Sequence, residues 1–105
     1  MTDYSTMADD EIDALVATRV MEWQAWPQDR YGPWRPSLYW SDAGRVAERI
    51  QKEWIVRLIG GPDGRWGCTM VRRDRRAVIA RAPTAPRAIC EAALRAMDAQ
   101  QRSES

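Results

Sequence analysis

The 105-residue chain contains no histidine and no phenylalanine, only two cysteines, and a single lysine, Lys52, among its sixteen basic residues. Without histidine there is no Ser/His/Asp or Cys/His catalytic pair, and two thiols cannot complete a four-ligand Cys/His zinc site. The chain therefore reads as a non-enzyme with neither metal nor cofactor. No run approaches the roughly 18 apolar residues of a membrane span, and Met1 to Asp10 is polar and acidic, unlike a secretory signal. These absences take the membrane out of the set of partners and place the protein in the cytoplasm. Cys68 and Cys90 are then expected to be reduced thiols packed in the core, as intracellular cysteines usually are.

What is present is enough for one soluble domain: 45% hydrophobic residues, 30% charged residues and a net charge of +1. Six tryptophans carry the aromatic load. The near-neutral balance hides an asymmetry, since residues 1–53 hold ten acids against six bases and residues 54–105 hold five acids against ten bases. Fifteen of the bases are arginine, whose planar fork suits bidentate contacts.

Periodicity supplies the elements. Ile12, Leu15, Val16, Val20 and Trp23 fall on one face of a first helix that starts at Asp9 and stops near Gln24 to Trp26, ahead of Pro27. Asp13, Arg19 and Glu22 take its other face. Trp26 to Trp40 follows as an irregular segment with three prolines and five aromatics. Ser41 or Asp42 is positioned to cap a second helix carrying Ala43, Val46, Ala47 and Ile50. Trp54 to Ile59 has strand composition and is apolar on both sides, which predicts a sheet covered on two faces. Glycine, proline and Asp-Gly chemistry predicts a turn over 60–64, then strands over 65–72 and 76–82 joined by a turn at Arg73-Asp74-Arg75. Thr84-Ala85-Pro86 opens a last helix with Ile89, Ala93, Leu94 and Met97 inward and Arg87, Glu91, Arg95 and Asp98 outward, fraying after Ala99. The expected core is Leu15, Val16, Val20, Val46, Ile50, Val56, Leu58, Val78, Ile89, Ala93 and Leu94. Residues 1–8 and 100–105 are expected to be polar tails around a single domain over 9–99.

Four blocks of sequence carry a family likeness. They are Ile12 to Ala17 continuing through Val20-Met21-Glu22-Trp23, Pro36-Ser37 followed by Ser41-Asp42, the isolated Trp66, and Ala82-Pro83-Thr84-Ala85-Pro86-Arg87-Ala88-Ile89-Cys90-Glu91-Ala92-Ala93-Leu94. On these the chain resembles the phage ABA sandwich domain, a family of small phage and prophage proteins without a defined molecular function. The resemblance implies an α/β/α sandwich, within the α/β (α+β) class, and a phage origin. The Trp26 to Trp40 segment and the arginines around Asp74 are stronger here than the family leads one to expect. No family catalytic residue is carried over, and a fold does not confer a function.

Two constellations are candidates for binding. The first is the aromatic segment, Trp26, Tyr31, Trp34, Tyr39 and Trp40 interleaved with Arg30 and Arg35, because aromatic and arginine side chains anchor interfaces and stack on bases. Its proposed contact set is Trp26, Arg30, Tyr31, Trp34 and Arg35, with at least one of its aromatics partly exposed. The competing reading makes its tryptophans core. The second is a basic hairpin, Arg72, Arg73, Arg75 and Arg76 with Arg65 and Arg81 near it, for which solvated charge that blunts sheet edges is the favoured reading. Asp9, Asp10, Glu11 and Asp13 are explained by the helix dipole. Helix, three strands and helix is also the order of double-stranded RNA-binding domains, but the last helix lacks their lysine cluster.

These readings converge on a non-enzymatic phage or prophage accessory protein that binds a host protein in the bacterial cytoplasm, with inhibition of an antiviral defence as the setting the phage resemblance implies. The alternatives are a protein that sequesters a nucleotide signal and, behind it, a nucleic-acid-binding module. A homo-oligomer stays open.

Overall fold

The structure, a computed structural model, describes residues 3–23 and 34–104. A short 3-10 turn, Tyr4–Thr6, precedes helix α1, Asp9–Leu15, which continues as a wider π-helical stretch over Val16–Val20. Three acids, Asp9, Asp10 and Glu11, occupy the first turn of α1, where the helix dipole favours them. Helix α2 spans Trp40–Ile50. Strands β1, Trp54–Gly60, β2, Trp66–Arg72, and β3, Ala77–Ala82, form an antiparallel sheet in the order β1-β2-β3. Helix α3 runs over Ala85–Glu104. The small α+β domain, with its three-stranded meander and closing helix, is the class that the residue pattern predicts.

The turns form where their chemistry places them. Gly64 supplies a φ of 79° between β1 and β2, and Arg75 takes a φ of 72° between β2 and β3. The second turn is closed by the Arg72 N–H donating to the Arg76 carbonyl at 2.8 Å. At the start of α3 the Thr84 hydroxyl accepts from the Arg87 N–H at 3.4 Å, as expected of a capping residue. Helix α2 begins slightly earlier than predicted, with Tyr39 at the cap and no side-chain cap bond. Asp42 lies in its first turn and instead accepts the Arg35 N–H at 3.0 Å, fixing the chain that leads into the helix.

One core joins the helices to one face of the sheet. Val16, Val20, Val46, Ile50, Ile89, Ala93 and Leu94 are buried as expected, while Leu15, Val56, Leu58 and Val78 are half-buried against them. The core also takes Cys68, as expected of a reduced thiol, and Tyr4, Trp34, Trp54 and Met70, which the expected core left out. Alanines 80, 82, 88, 92 and 96 are buried where α3 crosses the sheet, and their small side chains let helix and strands approach closely. The opposite face is not covered by any described residue, and Ile55, Ile59 and Ile79 stand 63%, 63% and 54% exposed on it. The two-sided cover expected from β1 is thus met on one side among the described residues.

Three polar residues expected on outward faces are buried instead: Asp13, Arg87 and Glu91. Arg87 explains the last two. Its Nε donates to Glu91 Oε2 at 2.9 Å and its Nη1 to Asp9 Oδ1 at 2.7 Å. Its Nη2 donates to the carbonyls of Tyr4 and Met7 at 2.8 and 2.7 Å. A buried guanidinium is tolerable only when so fully paired. The clamp also corrects the expected N-terminal boundary, because residues 4–9 are held against α3. Tyr4 is fully buried, its hydroxyl donating to Asp98 Oδ2 and accepting from Arg19 Nη1. Burial, followed by the hydrogen bond to Asp98, raises the Tyr4 pKa. At the other end, α3 continues to Glu104 rather than fraying after Ala99.

Asp13 has a different role. Its Oδ1 accepts the Ser37 N–H at 2.9 Å and its carbonyl accepts the Trp34 indole N–H at 3.2 Å, so it secures the chain that precedes α2. Burial raises its carboxyl above the usual carboxylate range, although the hydrogen bonds from Ser37 draw it back.

Two predictions follow from these buried polar groups. Arg87→Met leaves Glu91 buried without its partner and is expected to cost about 3–5 kcal/mol in denaturant unfolding, with Arg87→Met/Glu91→Met recovering part of the loss. Because the folded pKa of Asp13 is raised, the folded protein binds more protons than the unfolded chain just above the ordinary carboxylate range, and stability contributed at this site falls as pH rises through that window. Asp13→Asn is therefore expected to melt higher than the parent at neutral pH, with the advantage shrinking as pH is lowered, as read by thermal unfolding across pH.

Candidate functional site

The expected contact set of the aromatic segment is divided by the structure. Trp26, Arg30 and Tyr31 lie outside the described residues. Trp34 is only 4% exposed, and its place as a surface anchor is corrected to core. The indole N–H is satisfied by the Asp13 carbonyl, and its ring meets Trp23 edge-on at 4.6 Å, so both its polar and apolar parts are used internally. Arg35 is exposed.

The exposed aromatics come from the end of the same segment. Tyr39 and Trp40 are 51% and 57% exposed where the chain turns into α2. Trp40 stands edge-on to Trp66 at 6.0 Å, which fixes its ring without burying it. Trp66 begins β2 and borders a cleft of about 330 Å³ at that end of the sheet. Gly67, Ile59 and Ile79 contribute to the cleft from the bare face, and the β1–β2 turn closes its end. A Cβ at Gly67 would meet nothing nearer than the Ile59 carbonyl at 3.9 Å, so the glycine leaves the floor flat and open.

Strand register gives this face its composition. Ile55, Val71 and Ala77 lie across one row, Arg57, Thr69 and Ile79 across the next, and Ile59, Gly67 and Arg81 across the third. The face thus combines exposed isoleucines with two guanidinium groups, and Arg65 adds a third at the cleft. The apolar alternation of β1 did signal this surface, but a strand covered on both faces has the same alternation.

Arg65 and Arg81 also border a second cleft, of about 310 Å³, on the helical side of the same end. Its walls include Met7, Leu38, Thr84 and the buried Glu91. Glu91 Oε2 is engaged by Arg87, whereas its buried Oε1 has no hydrogen-bond partner. The helical periodicity that put Glu91 outside could not register this cleft.

The basic hairpin lies at the other end of β2 and β3. Arg73 and Arg75 are exposed at its tip. Arg76 is held by architecture, with Nη1 donating to the Ala99 carbonyl at 3.0 Å and Nε 3.4 Å from Asp74 Oδ2. Arg72 is only partly exposed. The four arginines therefore do not present a uniform cationic surface. Both thiols are buried, and burial raises Cys68 to about 11 and Cys90 well above its ordinary value, so neither is held as a reactive thiolate. Among the described residues no helix is long and apolar enough to cross a membrane, and no group of three or more His, Cys, Asp or Glu side chains is placed to hold a metal.

Comparison with curated proteins and with solved structures yields no match. The sequence model of the phage ABA sandwich domain matches residues 14–94, which takes in the end of α1 with its π-helical continuation, α2, all three strands and the first half of α3. The match covers well over half of the chain, and the protein belongs to the phage ABA sandwich domain family.

Proposed function

We propose that this phage protein works by binding a host protein, without catalysing a reaction, and that the binding disables an antiviral defence. The observation that supports the reading is the exposed Trp40, its ring edge-on to Trp66 at the end of a sheet whose other, bare face carries Ile59, Ile79 and Arg81. A large aromatic held in place before binding loses little conformational freedom on association, and tryptophan and arginine are the commonest energetic anchors of interfaces. The isoleucines suit an apolar patch on the partner, and Arg57, Arg65 and Arg81 suit acidic groups around it. Arg35, exposed ahead of Trp40, extends the proposed surface, and the expected contacts Trp26, Arg30 and Tyr31 lie outside the described residues. Nucleic acid fits less well, because Arg76 of the basic hairpin is committed to the Ala99 carbonyl and Arg72 is only partly exposed, which breaks the hairpin as a continuous track for a phosphate backbone.

The test compares two tryptophans. Trp40→Ala is expected to weaken a host complex recovered by affinity capture by about 2 kcal/mol or more while changing the melting temperature little. Trp34→Ala is expected to lose about 3–5 kcal/mol of stability first, because it empties a core site. Capture of the same host protein by the parent and by both Trp40→Ala and Ile79→Asp would reject the surface.

A further inference from the structure

The bare face of the sheet has a shape as well as a composition. On its middle strand Gly67, Thr69 and Val71 are half-buried, whereas Ile55, Arg57 and Ile59 on β1 and Ile79 and Arg81 on β3 are exposed to either side. The edge strands thus stand above β2 and leave a shallow trough along it, with the cleft of about 330 Å³ at the Gly67 end. Gly67 is the part of this shape that the fold does not require. It does not take the left-handed φ that Gly64 takes, and a Cβ on it would meet nothing nearer than the Ile59 carbonyl at 3.9 Å. A glycine inside a strand weakens it and is typical of a place that another chain approaches closely.

Charge narrows the choice of occupant. Each strand turns three residues outward on this face; Arg57 and Arg81 are the charged ones, on opposite sides of the trough, and none is acidic. A second copy of the face would add two more guanidinium groups and no carboxylate, enclosing four unpaired charges between two sheets. An added strand would pair with a sheet edge through its main chain and leave the isoleucines bare. Phosphates would meet the arginines and give the isoleucines no apolar counterpart. A helix laid along β2 meets both, and helices cover sheets in this way in layered domains. Residues i, i+4 and i+8 of a helix span about 12 Å, against about 13 Å from Ile55 to Ile59 along β1. Residues to either side of that stripe come over Arg57 and Arg81, and acids there complete the pairing.

We propose that the trough over β2 docks an amphipathic helix of the partner, apolar along one stripe and acidic on both flanks. This rests on the host-protein reading and names the element of the partner that the bare face receives.

Fluorescence anisotropy of the whole chain with a labelled synthetic peptide of about 18 residues, leucine along one helical stripe and glutamate on both flanks, tests it. Saturable binding with Kd below about 100 μM is expected, with a gain of helical circular dichroism and amide chemical-shift changes centred on Gly67, Thr69 and Val71. Gly67→Val fills the trough where a strand accepts a β-branched residue, and is expected to keep the melting temperature or raise it while weakening the peptide about tenfold or more. Arg57→Glu/Arg81→Glu is expected to lose the glutamate peptide and to take the same peptide with lysine on its flanks; both changes are exposed and keep the test open should Gly67→Val fail to fold. Trp40→Ala is expected to bind the peptide as the parent does. A host complex that Trp40→Ala weakens, with no peptide bound by the parent, would reject the helix site and leave the host-protein reading standing. Equal binding of a peptide of the same composition in scrambled order, binding unchanged by Gly67→Val, tighter binding of duplex DNA or of phosphatidylserine vesicles, or a dimer of this chain that Ile79→Asp dissolves would each overturn the proposal.

Discussion

A single buried guanidinium organises this protein. Arg87 projects from the start of α3 and is bonded at once to the next turn of its own helix, to the first turn of α1 and to two carbonyls of the segment before it. Its burial imposes a condition on each of those segments, since any one moving away would strand a charge in a poorly solvated place. Tyr4 is seated by the same arrangement and carries it further, through Asp98 near the end of α3 and Arg19 in the π-helical stretch. Asp13, one face of α1 away, then holds Ser37 and Trp34.

That polar scaffold is the part of the fold that was hardest to read in the sequence. Alternation and turn chemistry place β1, β2 and β3 to within a residue, because both are local properties. Helical spacing likewise finds α1, α2 and α3. Arg87 and Glu91, spaced as an ordinary surface pair on a helix, became buried because their partners arrive from residues 4 to 9, and no local pattern records so distant a neighbour. Tyr4 sits in a stretch whose composition is that of a tail for the same reason. Trp34 presented a real ambiguity: an aromatic among prolines serves equally as anchor or as core, and one bond across 21 residues settled it. The bare sheet face was legible as apolar but not as bare, since hydrophobicity on two sides of a strand describes both a covered sheet and a docking surface.

The division of labour within the sheet follows from residue size. Its inner face uses alanines at 80 and 82 against the alanines of α3, with bulk from Met70, Leu94 and Trp54. Its outer face uses isoleucines and arginines around Gly67. The inner surface is thereby fitted to one close-packed helix, whereas the outer surface is broad, flat and chemically mixed. At one end of the sheet Arg65 and Arg81 stand between the two faces and border a cleft on each.

The joining of Tyr4 and Asp9 to Arg87 and Asp98 also sets the order in which the molecule can be completed during synthesis. The strands and the first two helices leave the ribosome before α3 exists, and until it emerges Tyr4 and Asp9 lack the groups that hold them and the inner sheet face lacks its main cover. Closing loops of that span is an entropic cost met only once, at the end, when a single helix satisfies the turn, α1 and the sheet together. The nascent chain should therefore stay uncommitted until α3 clears the exit tunnel and then consolidate in one step.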